Sequence, residues 1–414
     1  MIGFGEGFVT VFMAKESKDS VSDMGAYDAV VIGGGAAGMA AAIVYLRRKP
    51  RAALLVAEAN EACGRKLLAT GNGRCNISNL SADNYQETKD FFRSIGVPFR
   101  VEESGRAYPM SGQAASVRDA LVRALERAQA EVRCEARVSG IERDGIHRQG
   151  KSGGGGRDKA DGGGFTIFFG DGTSVRTGRL LIATGGKAGA QYGCNGDGYA
   201  FARSFGHSVE TIRPALVPLV YTESEKVRLA GLAGVRIKSR AELLIDGRRA
   251  AAAPGELQFT EYGLSGIMIF DISTMMPKSI IEGKPRTEVA LDLAPGEDEK
   301  SLERLMRENE GLWLEGVVGK KLSALLTVEG GGDAARIAAL AKYFLVSVGG
   351  TKGWKEAQTT LGGVSTSEVD EETGESLLCK GLFFAGEVLE PVYICGGYNL
   401  NHAWATGLRA GANL

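Results

Sequence analysis

The chain of 414 residues has no pair of cysteines close enough to form a C-x-x-C. Its six cysteines, Cys63, Cys75, Cys134, Cys194, Cys379 and Cys395, are all at least twelve positions apart. That spacing excludes zinc-ribbon and thioredoxin-like sites. Histidine is equally scarce: His147, His207 and His402 are scattered, so a histidine-based metal site is not expected. No excess of charge of either sign exists, with 49 basic against 50 acidic side chains and a formal charge of −1. A phosphate-neutralising surface would need a basic excess, so nucleic acid is not an expected partner. Long apolar runs are missing too. The uncharged stretch from Ala29 to Leu46 is divided by Gly33, Gly34, Gly35 and Gly38 into a short strand and a helix, so no membrane span is expected. With no secretory signal and no disulfide framework, a soluble cytoplasmic protein with reduced thiols is the expectation.

Glycine is abundant instead, with 60 residues against only 10 prolines and no G-x-y period. Such an excess marks sharp turns and places where backbone meets a ligand closely. The most informative cluster is Gly33-Gly-Gly35-Ala-Ala-Gly38. It directly follows the apolar run Tyr27–Ile32 and opens a helical stretch reaching about Arg48. The first glycine makes a tight turn, the second admits a pyrophosphate to the backbone, and the third lets helix and strand approach. A second apolar run, Ala53–Ala57, ends in Glu58, twenty residues after Gly38. A carboxylate there can hold the ribose hydroxyls of an adenosine, and it disfavours a 2′-phosphate. This β-α-β unit is expected to bind NAD or FAD.

Residues 84–130 read as largely helical, broken at Gly105–Pro109, and Glu131–Glu142 reads as one strand. The glycine-rich segment 148–164 reads as a solvated hairpin loop. Phe165–Phe169 and Thr173–Arg176 form a hairpin, and Arg179–Gly186 is a buried strand entering a glycine turn. From 212 to 296 the pattern changes to short strands, and 297–343 is helix-rich, with Leu302, Leu305, Met306, Leu322, Leu325 and Leu326 at helical spacing. Buried-strand character returns at Gly381–Gly386, followed by a terminal helix over Asn399–Gly411. The organisation expected is an extension (1–26), a first part of a dinucleotide domain (27–211), a β-domain (212–296), a helical subdomain (297–343) and a second dinucleotide part (344–414). No second G-x-G-x-x-G with its own strand and acid exists, so a dedicated NAD(P)H domain is not expected.

Several further stretches carry a more specific resemblance. They are Gly64–Asn79, Gly105–Pro109, Gly255–Thr260, Gly263–Gly266, Leu361–Val364 and Gly396–Leu400, while Ala183–Gly186 and Phe384–Glu387 resemble the remaining FAD-site segments of glutathione-reductase-type flavoproteins. From about residue 27 to its end the chain resembles a family of bacterial NAD(P)/FAD-dependent oxidoreductases. That family includes aminoacetone oxidase and a flavoprotein of bile-acid dehydroxylation clusters. The resemblance implies an α/β fold: a doubly wound FAD-binding domain of glutathione-reductase type, interrupted by a β-barrel-like domain and a small helical one. The cofactor implied is FAD, with NAD(P)H docking at most transiently, and the partner a small organic molecule; oligomeric state is not legible.

The expected cofactor-binding set is Gly33, Gly35, Ala37, Gly38, Glu58, Lys66, Gly71, Asn72, Gly73, Arg74, Cys75, Asn76, Val138, Ala183, Thr184, Gly185, Gly386, Glu387, Gly396, Gly397, Tyr398 and Asn399. Within it Glu387 is expected to reach the ribitol, and Arg74 to neutralise a pyrophosphate or an anionic substrate. Tyr398, Asn399, Arg74 and Cys75 are the candidates for a role in the chemistry, although Cys75 reads more simply as a small buried residue and Asn399 as a helix cap. His402 reads as packed and His207, after Phe205-Gly206, as ending a helix; neither reads as a base. Glu261, Ile267 and Pro391–Ile394 depart from the family pattern, which bears on substrate identity. Hydride exchange with an amine, or with the double bond of an enone, are the two enzymatic readings. A flavin-bearing sensor without turnover and an RNA-modifying flavoprotein are the alternatives.

Overall fold

A computed structural model describes residues 22–144, 163–277, 285–309 and 314–414. At its centre lies a five-stranded parallel sheet in the order Leu382–Phe384, Leu180–Ile182, Ala29–Ile32, Leu54–Ala57, Glu131–Arg133. The first four of these strands are three or four residues long and entirely buried. That is why they read as continuous apolar runs rather than alternating ones. On one face the first helix, Ala36–Arg48, packs against the C-terminal helix, Tyr398–Asn413. Gly407 and Gly411 set their separation: a Cβ on either would lie 2.5 Å from Ala37 O or 2.2 Å from Ala41 O. The two ends of the chain thus complete one layer.

The opposite face carries an antiparallel hairpin pair. Phe165–Phe169 lies between Thr173–Thr177 and Val138–Arg143. Ser22–Tyr27 adds to this sheet in parallel with Thr173–Thr177. The last residues of the expected N-terminal extension are therefore a strand, separate from Ala29–Ile32. The single strand expected over Glu131–Glu142 is likewise two strands in different sheets, Glu131–Arg133 and Val138–Arg143. Glu135, at φ +55°, turns the chain between them. The segment 84–130 holds two helices, Tyr85–Ser94 and Ala114–Arg127, with a small sheet between them (Phe99–Val101, Arg106–Pro109). Of the glycine-rich segment, 148–162 lies outside the described residues.

The inserted β-domain is a closed six-stranded barrel, ordered Leu219–Tyr221, Gly263–Ser265, Arg248–Phe259, Arg236–Ile245, Thr287–Asp292, Phe344–Thr351. Its closing strand lies beyond position 343, because closure needs a partner for both Leu219–Tyr221 and Thr287–Asp292. The helices Glu299–Glu308, Leu314–Val318, Lys320–Glu329 and Ala334–Lys342 do not form a core of their own. Leu302, Met306, Leu322, Leu326, Ile337 and Ala341 join Leu243, Leu257, Val289 and Phe344 in one continuous apolar cluster. No described helix is long and apolar enough to cross a membrane.

Candidate cofactor and substrate site

A cavity of about 940 Å³ runs from the C-terminal ends of the central strands to the seam with the barrel. This is the upper end of the usual range for a small-molecule site, about 300–1,000 Å³. Its floor is the glycine turn after Ala29–Ile32. Gly33 adopts φ +107°, and a Cβ there would stand 2.4 Å from Ala183 O, so only glycine lets these two strand ends meet. A Cβ at Gly38 would lie 1.9 Å from Gly33 O, so this glycine sets how closely the helix sits on the turn. Gly35 differs from both: a Cβ would meet nothing within 4 Å. It is the N-cap of a thirteen-residue helix that no side chain caps. The free N–H groups and the helix dipole therefore face the cavity, the arrangement that receives phosphate.

Glu58, 7% exposed, ends the adjacent strand. One carboxylate oxygen accepts the Gly34 N–H at 2.8 Å, and the other accepts the Asn60 N–H at 2.8 Å and the Asn60 amide. Glu58 thus braces the glycine turn while lining the cavity, and a carboxylate retains acceptor capacity beyond these three bonds.

The loop Thr70–Asn76 is wound by positive φ at Gly71, Asn72, Gly73 and Cys75, and closed by the Cys75 N–H on Thr70 O at 2.9 Å. This winding aims Cys75 into the interior, where it is wholly buried and burial pushes its thiol up to about 12. It does not line the cavity. Arg74 lies over the Tyr108 ring, 4.0 Å from its centroid, and pairs with Glu102 at 2.5 Å. Its charge is thus already partnered. Asn76 faces the cavity with its buried Oδ1 unpartnered among the described residues.

Glu387 meets Lys66 Nζ at 2.6 Å and accepts the Thr360 N–H at 2.9 Å. Desolvation works against the Lys66 ammonium, but the Glu387 charge and hydrogen bond outweigh it and hold the pKa above its ordinary value. At the far wall Gly396 and Gly397, at φ +140° and +99°, lead into the C-terminal helix. The Asn399 side chain does not cap that helix. It accepts the Tyr393 N–H at 2.9 Å and donates to Tyr393 O at 2.8 Å, clamping the preceding loop. Tyr398 packs its ring against Gly396 rather than lining the cavity.

Of the expected set, Gly38, Gly73, Cys75 and Tyr398 do not line the cavity, whereas the other eighteen do. The local pattern missed His402, Cys194, Leu216, Phe270, Thr359 and Cys395, which come from segments far apart in sequence. Ile267 and Pro391, singled out only as departures from a pattern, also line it. His402 is more than packed. Burial lowers its pKa to about 4, so it is neutral at pH 7, and its Nε2 has no partner among the described residues. His207 lies elsewhere, hydrogen-bonded to Ser376 at 2.7 Å.

These features fit a flavin dinucleotide. There is an uncapped helix N-terminus beneath an open Gly35, a braced acid one strand away, and buried unpartnered polar atoms on Asn76, Thr359 and His402.

Comparison with known proteins agrees. Residues 80–413 match the HI0933-like protein Rossmann domain. The chain is 34% identical to the 3-dehydro-bile acid delta(4,6)-reductase of Clostridium scindens, covering 92% of this chain and 97% of that protein. It is 27% identical to the ribosomal RNA dihydrouridine synthase of Escherichia coli, covering 92% and 96%. For the Haemophilus influenzae enzyme of the same name, identity is 26% and coverage 91% and 96%. With its Rossmann-type FAD-binding domain and inserted barrel, the chain belongs to the HI0933-like family of flavoprotein oxidoreductases.

Proposed function

We propose that this protein is an FAD-dependent reductase of a carbon–carbon double bond conjugated to a carbonyl, acting on a small apolar molecule. The carrying observation is the character of the cavity where it leaves the glycine turn. Leu216, Ile267 and Phe270 from the barrel side face Pro391 and Cys395 from the dinucleotide domain. Tyr393 and Ile394, 39% and 52% exposed, continue this apolar wall outward. Such a lining suits a flat apolar substrate, and charged amines or RNA less well. The relatives support the reaction class, because a delta(4,6)-reductase and a dihydrouridine synthase are both named for saturating a double bond.

FAD, once bound, supplies the hydride chemistry. The chain's own residues bind and orient. The helix N-terminus at Gly35 would hold the phosphates and Glu58 the ribose, while Lys66 with Glu387 fixes the wall between strand end and loop. The N-terminus of the C-terminal helix, after Gly396 and Gly397, favours negative charge at that end of the cavity. Neutral His402 can exchange one hydrogen bond through Nε2 without adding charge. Electrons would come from a nicotinamide docking transiently, in the cytoplasm.

The test is the visible spectrum of the purified protein under anaerobic conditions, first with NADH or NADPH and then with a conjugated enone. Bleaching followed by recovery of the flavin bands on adding the enone is the expected result. Bands that recover with no conjugated carbonyl compound, or that bleach only with an amine, would refute the reading.

A further inference from the structure

We propose that Cys395 is the proton donor of this reaction, held in place by Asp271 from the barrel, with Arg106 facing the substrate's carbonyl oxygen. The assignment rests on the reading of the site as a conjugated double-bond reductase. Saturating such a bond requires a hydride at the β-carbon and a proton at the α-carbon, and none of Arg74, Cys75, Tyr398 and Asn399 is an available acid. Arg74 is paired, Cys75 is sealed in the core, Tyr398 lies outside the cavity, and the Asn399 amide has no acidic proton.

The folded chain assembles another group across its two domains. Cys395 lines the cavity at the residue before Gly396 and Gly397. Its backbone N–H donates to Asp271 Oδ1 at 2.6 Å, and Asp271 belongs to the barrel helix Ile267–Ser273. Burial, followed by the nearby Asp271 charge, keeps the thiol in the protonated form. Burial likewise raises Asp271, although its bond from Cys395 and the Arg106 charge work against this. Arg106, also lining the cavity, is in no ion pair among the described residues. A cation placed there stabilises charge developing on a carbonyl oxygen. Thr359 also marks this cavity as one built to receive a ligand. It is 8% exposed, lines the same space, and its Oγ1 has no partner among the described residues.

The balance is simple. The β-carbon receives a hydride, hence two electrons, from flavin reduced beforehand by a nicotinamide-type donor. The α-carbon receives the proton of Cys395 Sγ, the S–H bond breaking as the C–H bond forms. Water then returns a proton to the thiolate, with Asp271 positioning the sulfur.

The experiment photoreduces the FAD-loaded protein and mixes it with a conjugated enone, following recovery of the flavin bands. Wild type is compared with Cys395→Ala, the near-isosteric Cys395→Ser and Asp271→Asn. Loss of a general acid predicts a slowing of about 100-fold or more for Cys395→Ala, with Cys395→Ser between. A second readout needs no turnover. The infrared S–H stretch of Cys395, identified by its loss in Cys395→Ser, should shift in Asp271→Asn as the neighbouring charge is removed. Wild-type recovery with Cys395→Ala within about threefold of it would overturn the assignment and leave the reductase reading standing. Wild type that no enone reoxidises would overturn both. An S–H band unmoved in Asp271→Asn would remove Asp271 from the positioning role.

Discussion

Replacing Gly35 with valine separates binding from folding at one atom. The backbone there has φ −80° and ψ −167°, which valine adopts readily, and its Cβ would meet no protein atom within 4 Å. Valine is a poor N-cap, which costs about 1 kcal/mol, and the stiffer unfolded chain offsets about 0.4–1 kcal/mol of that. Stability should therefore hardly change. The side chain instead fills the space over the uncapped helix N-terminus, where phosphate oxygens would receive N–H groups. Charge-assisted bonds of this kind contribute about 1.5–3 kcal/mol each. Losing two weakens FAD binding by about 3–6 kcal/mol, or about 10²–10⁴-fold. Titrating apoprotein with FAD by flavin fluorescence measures this, while thermal unfolding of the same apoprotein checks the fold. Gly38→Val is the contrast, because its Cβ would stand 1.9 Å from Gly33 O and must force helix from strand. Wild-type affinity for FAD in Gly35→Val would refute the placement of the phosphates.

His402 predicts an acid-side loss of stability in the apoprotein. Its folded pKa, lowered to about 4, lies below the ordinary 6.5, so between these values the unfolded chain takes up a proton that the folded one refuses. Stability should fall as pH drops from about 6.5 to about 4, by at most roughly 3 kcal/mol, and His402→Phe should remove that component from the melting profile. Lys66→Met would leave Glu387 with the Thr360 N–H but no cation, costing about 1–3 kcal/mol of stability in denaturant titrations. Because the Lys66 pKa is raised on folding, its contribution is complete below the unfolded value. The gap between wild type and Lys66→Met should therefore narrow only above about pH 10. Cys75→Ser should leave flavin reduction intact while lowering the melting temperature, since a hydroxyl replaces a wholly buried thiol.

The nucleotide end of the site was legible from local chemistry. Gly33, Gly35, Gly38 and Glu58 lie within one β-α-β unit, where backbone conformation and spacing dictate the geometry whatever the rest of the chain does. The same holds for the buried strands, since a segment covered on both faces must be apolar throughout. The parting of the strand at Glu135 and the use of Phe344–Thr351 to close the barrel were not legible. Sheet membership is settled by long-range pairing, and an apolar segment suits either sheet.

At the substrate end the side chains acquire their roles only by meeting. Cys75 and Cys395 are alike as letters, yet loop winding buries the first in the core, and the seam between domains brings the second to Asp271. Glu387 becomes the partner of Lys66 across 321 positions. Asn399, which reads as a helix cap, clamps the loop before it. Sequence spacing carries the chemistry that backbone does alone. Chemistry that depends on which charges and thiols are desolvated together exists only once the barrel and the dinucleotide domain close on one another.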